Sequence, residues 1–363
     1  MSEDLVGKRL GKYQLSERLG RGGMAEVYKA YHAALDRYVA LKILHPFLGE
    51  DPEFKERFER EARNVAQLRH PNIVQVYDFE HDVEHDIYYM VMEYIDGPTL
   101  RTRLAQMSFR GERPDIQEAI RVTGTLADAL AYAHARGMVH RDIKPANVMI
   151  DSEGRVVLTD FGIARIISGP QMTASGSMVG TPAYMSPEQG LGQAGDHRSD
   201  IYSLGVMLYQ LLTGAVPFDA DTPIAVVLKH VNDPLPAPSS LNPDIPPGLE
   251  RILYRMLAKA PDERYQDVRE VAADLRAPDT LLPGLGIDAD ATPADLATTS
   301  ISATTMHGEA PIAERQTGRL RRRRGCLAWL VIVLLSVLSL AAGIYLAYTG
   351  LLSTYLERIP GLG

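Results

Sequence analysis

The chain has 363 residues, 45% of them apolar and 23% charged, with a formal net charge of −8. That length holds one large domain, or two modest ones with accessory segments, and the acidic balance gives no global reason to expect a nucleic-acid partner. Cys326 is the only cysteine, which excludes an internal disulfide framework and a multi-cysteine zinc site. Met1-Ser2-Glu3-Asp4 lacks the features of a secretory or transit leader, so the folded part is expected in the cytoplasm.

Residues 13–45 read as β structure. Tyr13–Leu19 runs into the glycine-rich turn Gly20-Arg21-Gly22-Gly23-Met24-Ala25-Glu26-Val27, and Val27–Tyr31 leads out. Glycines let backbone N–H groups approach phosphate oxygens with no Cβ in the way, although the same composition also serves a tight hairpin. A second strand follows rather than a helix, which disfavours a dinucleotide fold. Val39-Ala40-Leu41-Lys42 ends an apolar strand on a lysine. A helix is expected from about Pro52 to Leu68, and Ile73–Phe79 and Ile87–Met92 read as further strands. From Thr99 the chain turns helical; Gln117–Ala135 carries Ile120, Leu126, Leu130 and Tyr132 at mostly helical spacing.

Val139–Arg165 is the stretch richest in chemistry. Asp142, Asn147 and Asp160 are three oxygen-bearing side chains at tight spacing. The apolar runs Val148–Ile150 and Val156–Leu158 flank Asp151-Ser152-Glu153-Gly154, which predicts a β-hairpin that brings Asn147 and Asp160 together. A carboxylate and a carboxamide so placed can hold a hard cation such as Mg²⁺, leaving Asp142 to orient a hydroxyl and accept its proton. In this order, His140-Arg141-Asp142, Asn147 and Asp160-Phe161-Gly162 resemble the catalytic and metal-binding loops of protein kinases.

The resemblance extends over about residues 13–276 and implies an α+β, two-lobed kinase fold with a small β-rich N-lobe and a larger helical C-lobe. It implies ATP as phosphoryl donor and Mg²⁺, with Mn²⁺ as an alternative, at Asn147 and Asp160. Lys42 becomes the ligand of the α- and β-phosphates, with Glu61 as its carboxylate partner ahead of Glu56 and Glu59. Gly20, Gly22 and Gly23 form the phosphate flap, with Ala25 where the pattern has a third glycine. Met92–Gly97 looks like the hinge, where backbone groups of Glu93 and Ile95 pair with adenine. Leu19, Val27, Ala40, Met92 and Met149 then wall the adenine slot, although each equally suits plain core. Lys144 marks a serine/threonine rather than a tyrosine kinase and neutralises the γ-phosphate; Thr181 braces Asp142 and Lys144. Gly180–Glu188 resembles the end of an activation segment, with Ser186 for the usual alanine of Ala-Pro-Glu. Asp200 is expected to cap the catalytic-loop backbone and Arg264 to be the buried partner of Glu188. Thr173 and Ser175 match the paired regulatory phosphosites of similar bacterial kinases.

Beyond this core, composition shifts to Pro, Ala, Thr, Asp and Gly, the signature of a linker. Six arginines lie between Arg315 and Arg324, and Cys326–Tyr348 then carries no formal charge. As a helix that run would extend about 34 Å, enough for a bilayer core. Arginines before it and only Arg358 after it place the N-terminal side in the cytoplasm, with anionic lipid as the partner of the cluster. Ser339, Gly343 and Ala347 recur at a spacing that permits a homodimer and that a lipid-facing helix equally tolerates. The expected organisation is therefore an N-terminal extension (1–12), a kinase domain (13–276) and a juxtamembrane linker (277–325), then a single transmembrane helix (326–348) and a short external tail (349–363). The bacterial transmembrane serine/threonine kinases, which phosphorylate proteins, are the family most resembled. A pseudokinase scaffold would lack the lysine, a metal ligand or the catalytic aspartate. A small-molecule phosphotransferase would lack the Gly180–Glu188 segment and its Arg264 partner.

Overall fold

The computed structural model describes residues 5–22, 25–44, 60, 63–83, 85–161 and 182–278. The chain divides into two compact units, Met1–Thr299 and Ser300–Gly363, and every described residue belongs to the first. Gly23, Glu61, Thr173, Ser175, Thr181, most of the helix expected from Pro52 and the apolar run 326–348 lie outside the described residues. Among the described residues no helix is long and apolar enough to cross a membrane.

The first lobe is one antiparallel sheet of β1 (Arg9–Leu10), β2 (Tyr13–Arg21), β3 (Ala25–His32), β4 (Arg37–Leu44), β5 (Val76–Asp82) and β6 (Ile87–Glu93). Its strand order is β1-β2-β3-β4-β6-β5. Period-two alternation gives each face its own task. Val39, Leu41 and Ile43 of β4 join Tyr13, Tyr28, Tyr89 and Val91 in a cluster on one face. Ala40 and Leu44 point the other way, into the large core shared with the rest of the unit. Residues ahead of Tyr13 take part: Leu10 pairs with Tyr13 and is buried.

The second lobe is helical: α1 (Leu100–Phe109), α2 (Ile116–His134), α3 (His197–Thr213), α4 (Pro223–Asn232), α5 (Pro247–Met256) and α6 (Val268–Arg276). Its local signals are ordinary caps. Asp196 accepts from the Arg198 N–H to start α3, Gly214 closes it at φ 82°, and Thr222 followed by Pro223 starts α4. From Ile201 to Tyr209 every residue of α3 is buried, the pattern of a helix enclosed on all sides.

One strand expectation needs correction at its start. Ile73–Phe79 was expected as a strand, yet pairing in the sheet begins at Val76. Ile73 bridges Leu158 and the Val74 N–H donates to the Leu158 carbonyl at 2.9 Å, so these residues serve the junction between lobes instead. Asn72 reinforces the junction through its side chain, which donates to the Val156 carbonyl at 2.7 Å.

The hinge is interlocked with the hairpin β7 (Val148–Ile150) and β8 (Val156–Leu158). The Ile150 N–H donates to the Pro98 carbonyl at 3.1 Å and the Ser152 N–H to the Asp96 carbonyl at 3.0 Å. This close approach requires Gly97, where a Cβ would collide with the Ile150 carbonyl oxygen. Because backbone rather than a side-chain tip must yield, Gly97→Ala is expected to cost about 1–3 kcal/mol. A melting curve matching that of the parent would show that the interlock is looser than described.

Candidate active site

The β7–β8 register pairs Val148 with Leu158, Met149 with Val157 and Ile150 with Val156. Just beyond it, the Thr159 N–H donates to the Asn147 carbonyl at 2.8 Å. Asn147 and Asp160 thus flank the open end of one hairpin, the placement expected from the turn sequence. The Asn147 amide nitrogen donates to the Asp142 carbonyl (2.8 Å) and to Asp142 Oδ2 (3.0 Å). With its nitrogen so used, the side chain has its oxygen left as a hard acceptor.

Asp142 Oδ2 also meets Lys144 Nζ at 2.8 Å. Both recorded side-chain partners sit on this one oxygen, so Oδ1 remains to take a proton. Across the cleft, Lys42 Nζ meets Asp160 Oδ1 at 2.8 Å. Burial by itself would raise the Asp160 pKa; Lys42 outweighs it, with His140 and Lys144 adding, and the carboxyl ends below its ordinary value. Asp160 is therefore an anion at neutral pH. Glu61, the expected partner of Lys42, lies outside the described residues, so the recorded carboxylate on this lysine is Asp160.

The catalytic loop holds a conformation that side chains disfavour. Arg141 has φ 66° and Asp160 φ 62°, left-handed values costing about 1–3 kcal/mol each without compensation. Asp200 supplies much of the compensation at Arg141. From the start of α3 its carboxylate accepts from the His140 N–H (2.8 Å) and the Arg141 N–H (2.6 Å). This is the cap that the family resemblance implied. His134 at the end of α2 donates to Asp200 Oδ2 at 2.8 Å, and Gln189 donates to the Arg141 carbonyl at 3.0 Å. His140 is fully buried, bonds the Thr159 carbonyl at 2.9 Å and stacks obliquely on Phe161.

Of the expected adenine walls, Val27, Ala40 and Met92 face the large core from the sheet and Met149 meets it from β7. Ala40 pairs with Met92, Val27 pairs with Lys42, and Met149 bridges Thr99. Ala40, Met92 and Ile95 are buried, whereas Leu19 is 42% exposed at the rim beside Gly20. Gly22 closes its turn by donating to the Ala25 carbonyl at 2.8 Å. The Glu93 N–H is used by the Gln75 carbonyl (2.8 Å), and its side chain pairs with Arg155 at 2.7 Å. Arg155 also binds Asp151 at 2.9 Å and the Pro71 carbonyl at 3.2 Å, tying hinge, hairpin turn and first lobe together.

Three structural supports escaped the sequence reading: His134, Arg155 and Gln189. Arg155 also pairs with Asp151 four residues before it and Gln189 closes a capping box with Ser186, but the contacts that support the site, with Asp200, Glu93 and the Arg141 carbonyl, reach partners far away in the chain.

The donor chemistry suits a hard divalent cation: a carboxylate kept ionised by Lys42 and a carboxamide oxygen, with no competing His or Cys cluster among the described residues. A β-rich lobe hinged to a helical lobe, with Lys42–Asp160 facing Asp142–Lys144–Asn147, defines a phosphotransferase of the protein-kinase fold. Residues 13–274 match the protein kinase domain, and the chain belongs to this family, among the Hanks-type serine/threonine kinases of bacteria. The family uses ATP and a divalent metal. The chain is 42% identical over 273 residues to the serine/threonine-protein kinase PrkC of Bacillus subtilis, covering 75% of this chain and 41% of that protein. It is 40% identical over 352 residues to PknB of Mycolicibacterium smegmatis, covering 93% of this chain and 55% of that protein. The chain thus spans about two-fifths to just over half of these relatives' length. Among solved structures, the PknI kinase domain of Mycobacterium tuberculosis superposes with a TM-score of 0.60 at 32% identity, covering 77% of this chain and 100% of that one.

Proposed function

We propose that the chain is a membrane-anchored serine/threonine protein kinase that transfers the γ-phosphoryl group of ATP to protein hydroxyls and is switched on by phosphorylation of its own activation segment. The observation that carries the reading is the pair of ion contacts facing one another in the cleft, Lys42–Asp160 and Lys144–Asp142, each at 2.8 Å.

In this reading Lys42 and the turn at Gly20, Gly22 and Gly23 hold the phosphates, with Glu61 steadying Lys42. Leu19, Val27, Ala40, Met92 and Met149 enclose the base, and backbone groups of Glu93 and Ile95 pair with it. Asn147 and Asp160 would hold Mg²⁺, which when bound neutralises phosphate charge. Asp142 Oδ1 aligns the acceptor hydroxyl and takes its proton as the oxygen bonds to the γ-phosphorus and the bond to ADP breaks. Lys144 draws the γ-phosphate toward that oxygen and Thr181 braces the pair. Positioning and charge placement supply most of the acceleration.

The membrane part rests on the uncharged run Cys326–Tyr348, with the arginine cluster before it on anionic lipid of the cytoplasmic leaflet. Ser339, Gly343 and Ala347 offer one face for pairing of two such helices. Thr173 and Ser175 are the regulatory sites proposed, since a phosphate there brings about −1.5 to −2 charge to pair Arg141 and Arg165. Three preparations test the reading. The full chain should sediment with membranes, incorporate label from ATP, and carry phosphate at Thr173 and Ser175 that Asp142→Asn protein made alone lacks. The Thr173→Ala/Ser175→Ala variant should lose about tenfold or more in rate, as loops ordered by phosphate do. Equal phosphate on the Asp142→Asn protein, or a double variant as fast as the parent, would remove self-activation from the proposal.

A further inference from the structure

His230, on α4, is an imidazole only 1% exposed that takes no part in the chemistry at Asp142. Its Nε2 lies 3.1 Å from the Ala183 carbonyl oxygen and its Nδ1 2.9 Å from the Tyr202 hydroxyl. A carbonyl only accepts, so Nε2 carries the proton; Nδ1 is then the acceptor for the Tyr202 O–H. The two contacts select one tautomer and one ring orientation. Burial, with Lys259 nearby, pushes the His230 pKa down to about 4, so the ring stays neutral at physiological pH.

The surroundings leave the ring little freedom. Phe218 meets it edge-on at 4.9 Å and Tyr202 at 5.7 Å. Lys259 donates to the His230 carbonyl at 2.7 Å, fixing the end of α4 from which the ring projects. The Arg264 guanidinium lies 4.8 Å from the Tyr202 ring centre and pairs with Glu188. A continuous path therefore runs from Glu188 through Arg264, Tyr202 and His230 back to Ala183. Both ends of segment 183–188 close on it.

That segment borders the place where an acceptor must lie. Gln189, directly after it, donates to the Arg141 carbonyl beside Asp142. A protein hydroxyl reaching Asp142 brings its flanking residues against this backbone. Of the other side-chain anchors of the segment, Ser203 on the Tyr184 carbonyl (2.7 Å), Gln210 on the Tyr184 hydroxyl (2.6 Å) and Ser199 on Glu188 (2.6 Å) come from α3, Arg264 on Glu188 comes from the chain ahead of α6, and Gln189 accepts from Ser186 locally. His230 alone among the described residues makes such a hydrogen bond from α4.

We propose that His230 is a positioning residue for the protein acceptor: as the Nε2–H tautomer it holds the Ala183 carbonyl and so sets the backbone against which the acceptor docks. This rests on the kinase reading above. The test compares the full-length parent, His230→Leu, His230→Gln and Tyr202→Phe, using a peptide of residues 171–179 as acceptor and, separately, slow ATP hydrolysis with water as acceptor. His230→Leu is expected to raise the peptide KM about tenfold, the scale of one lost hydrogen bond at a buried carbonyl, while the KM for ATP and the hydrolysis rate stay within about twofold. His230→Gln, whose amide nitrogen can occupy the Nε2 position, should restore most of the loss. Tyr202→Phe, which unlocks the tautomer, should shift the peptide KM in the same direction by less. Should the leucine variant fail to fold, Tyr202→Phe and His230→Gln decide: a raised peptide KM in the first with near-parent values in the second supports the assignment. Parent-like peptide KM in the leucine variant or in Tyr202→Phe, or equal loss of peptide transfer and hydrolysis, overturns it. A parent that hydrolyses ATP yet phosphorylates no protein acceptor would instead overturn the kinase reading.

Discussion

Asp142→Asn is expected to lower phosphoryl transfer by about 10²–10⁴-fold while leaving the melting temperature unchanged, because on the proposed mechanism it removes the proton acceptor while keeping the shape of the side chain. The substitution is nearly isosteric. Asn147 can still donate to the residue 142 carbonyl, a contact of 2.8 Å that involves no side-chain charge at 142. What disappears is the anion opposite Lys144 and the oxygen able to take the hydroxyl proton. Lys42→Met belongs to the same prediction, with a loss of about 10²–10³-fold. Methionine matches the lysine stem in length but leaves Asp160 without the cation that offsets its burial. The carboxyl should then titrate higher, and Mg²⁺ should be needed at higher concentration. Initial rates at saturating and limiting metal, beside circular dichroism melts, check both variants. Near-parent turnover in either would sink the assigned roles.

Arg264→Met should destabilise the domain by about 3–5 kcal/mol, the cost of stranding a buried partner charge. Arg264 is only 1% exposed and grips Glu188 with two parallel bonds of 2.9 and 2.8 Å. Its remaining donors reach the Ala258, Arg198 and Lys259 carbonyls, so three partly buried acceptors lose their partner as well. The pH dependence provides a second check. Burial by itself would raise the Glu188 pKa; bonds from Arg264 and Ser199 outweigh it and hold the carboxyl at about 2, against 4.5 normally. A depressed carboxylate stabilises the fold above its unfolded pKa, and the contribution disappears as pH falls through the folded value. The shift corresponds to about 3 kcal/mol present above pH 4.5 and lost by pH 2. Urea midpoints measured across that window should fall for the parent, and the part due to Glu188 should vanish in Arg264→Met. If both proteins show the same slope, the pair does not contribute in this way.

Short-range features were readable from residues alone. Val148–Ile150 and Val156–Leu158 alternate around a turn of Asp, Ser, Glu and Gly, and two strands joined so closely have almost no choice of partner or register. That local constraint is why Asn147 and Asp160 could be expected side by side. Caps such as Asp196 and Thr222, which were not singled out from the sequence, are equally local, since the side chain satisfies an N–H two or three residues away. Glu188–Arg264 and Asp200 on the loop were also anticipated, but through resemblance rather than through any spacing.

Tertiary structure decided the rest, and the reason is common to all cases. Ile73 and Val74 have the composition of a sheet strand, yet the Ile73 N–H turns back to the His70 carbonyl and the Val74 N–H goes to the Leu158 carbonyl, because the junction between lobes offers a partner there. His230, His134 and Arg155 are single polar residues whose meaning depends on Ala183, Asp200 and Glu93, brought close only after the helices pack. Lys42 and Asp160 stand 118 positions apart, and nothing in either neighbourhood encodes a 2.8 Å contact. Local periodicity determines which face of an element is apolar; burial across elements determines which of its polar groups must find a partner, and which one.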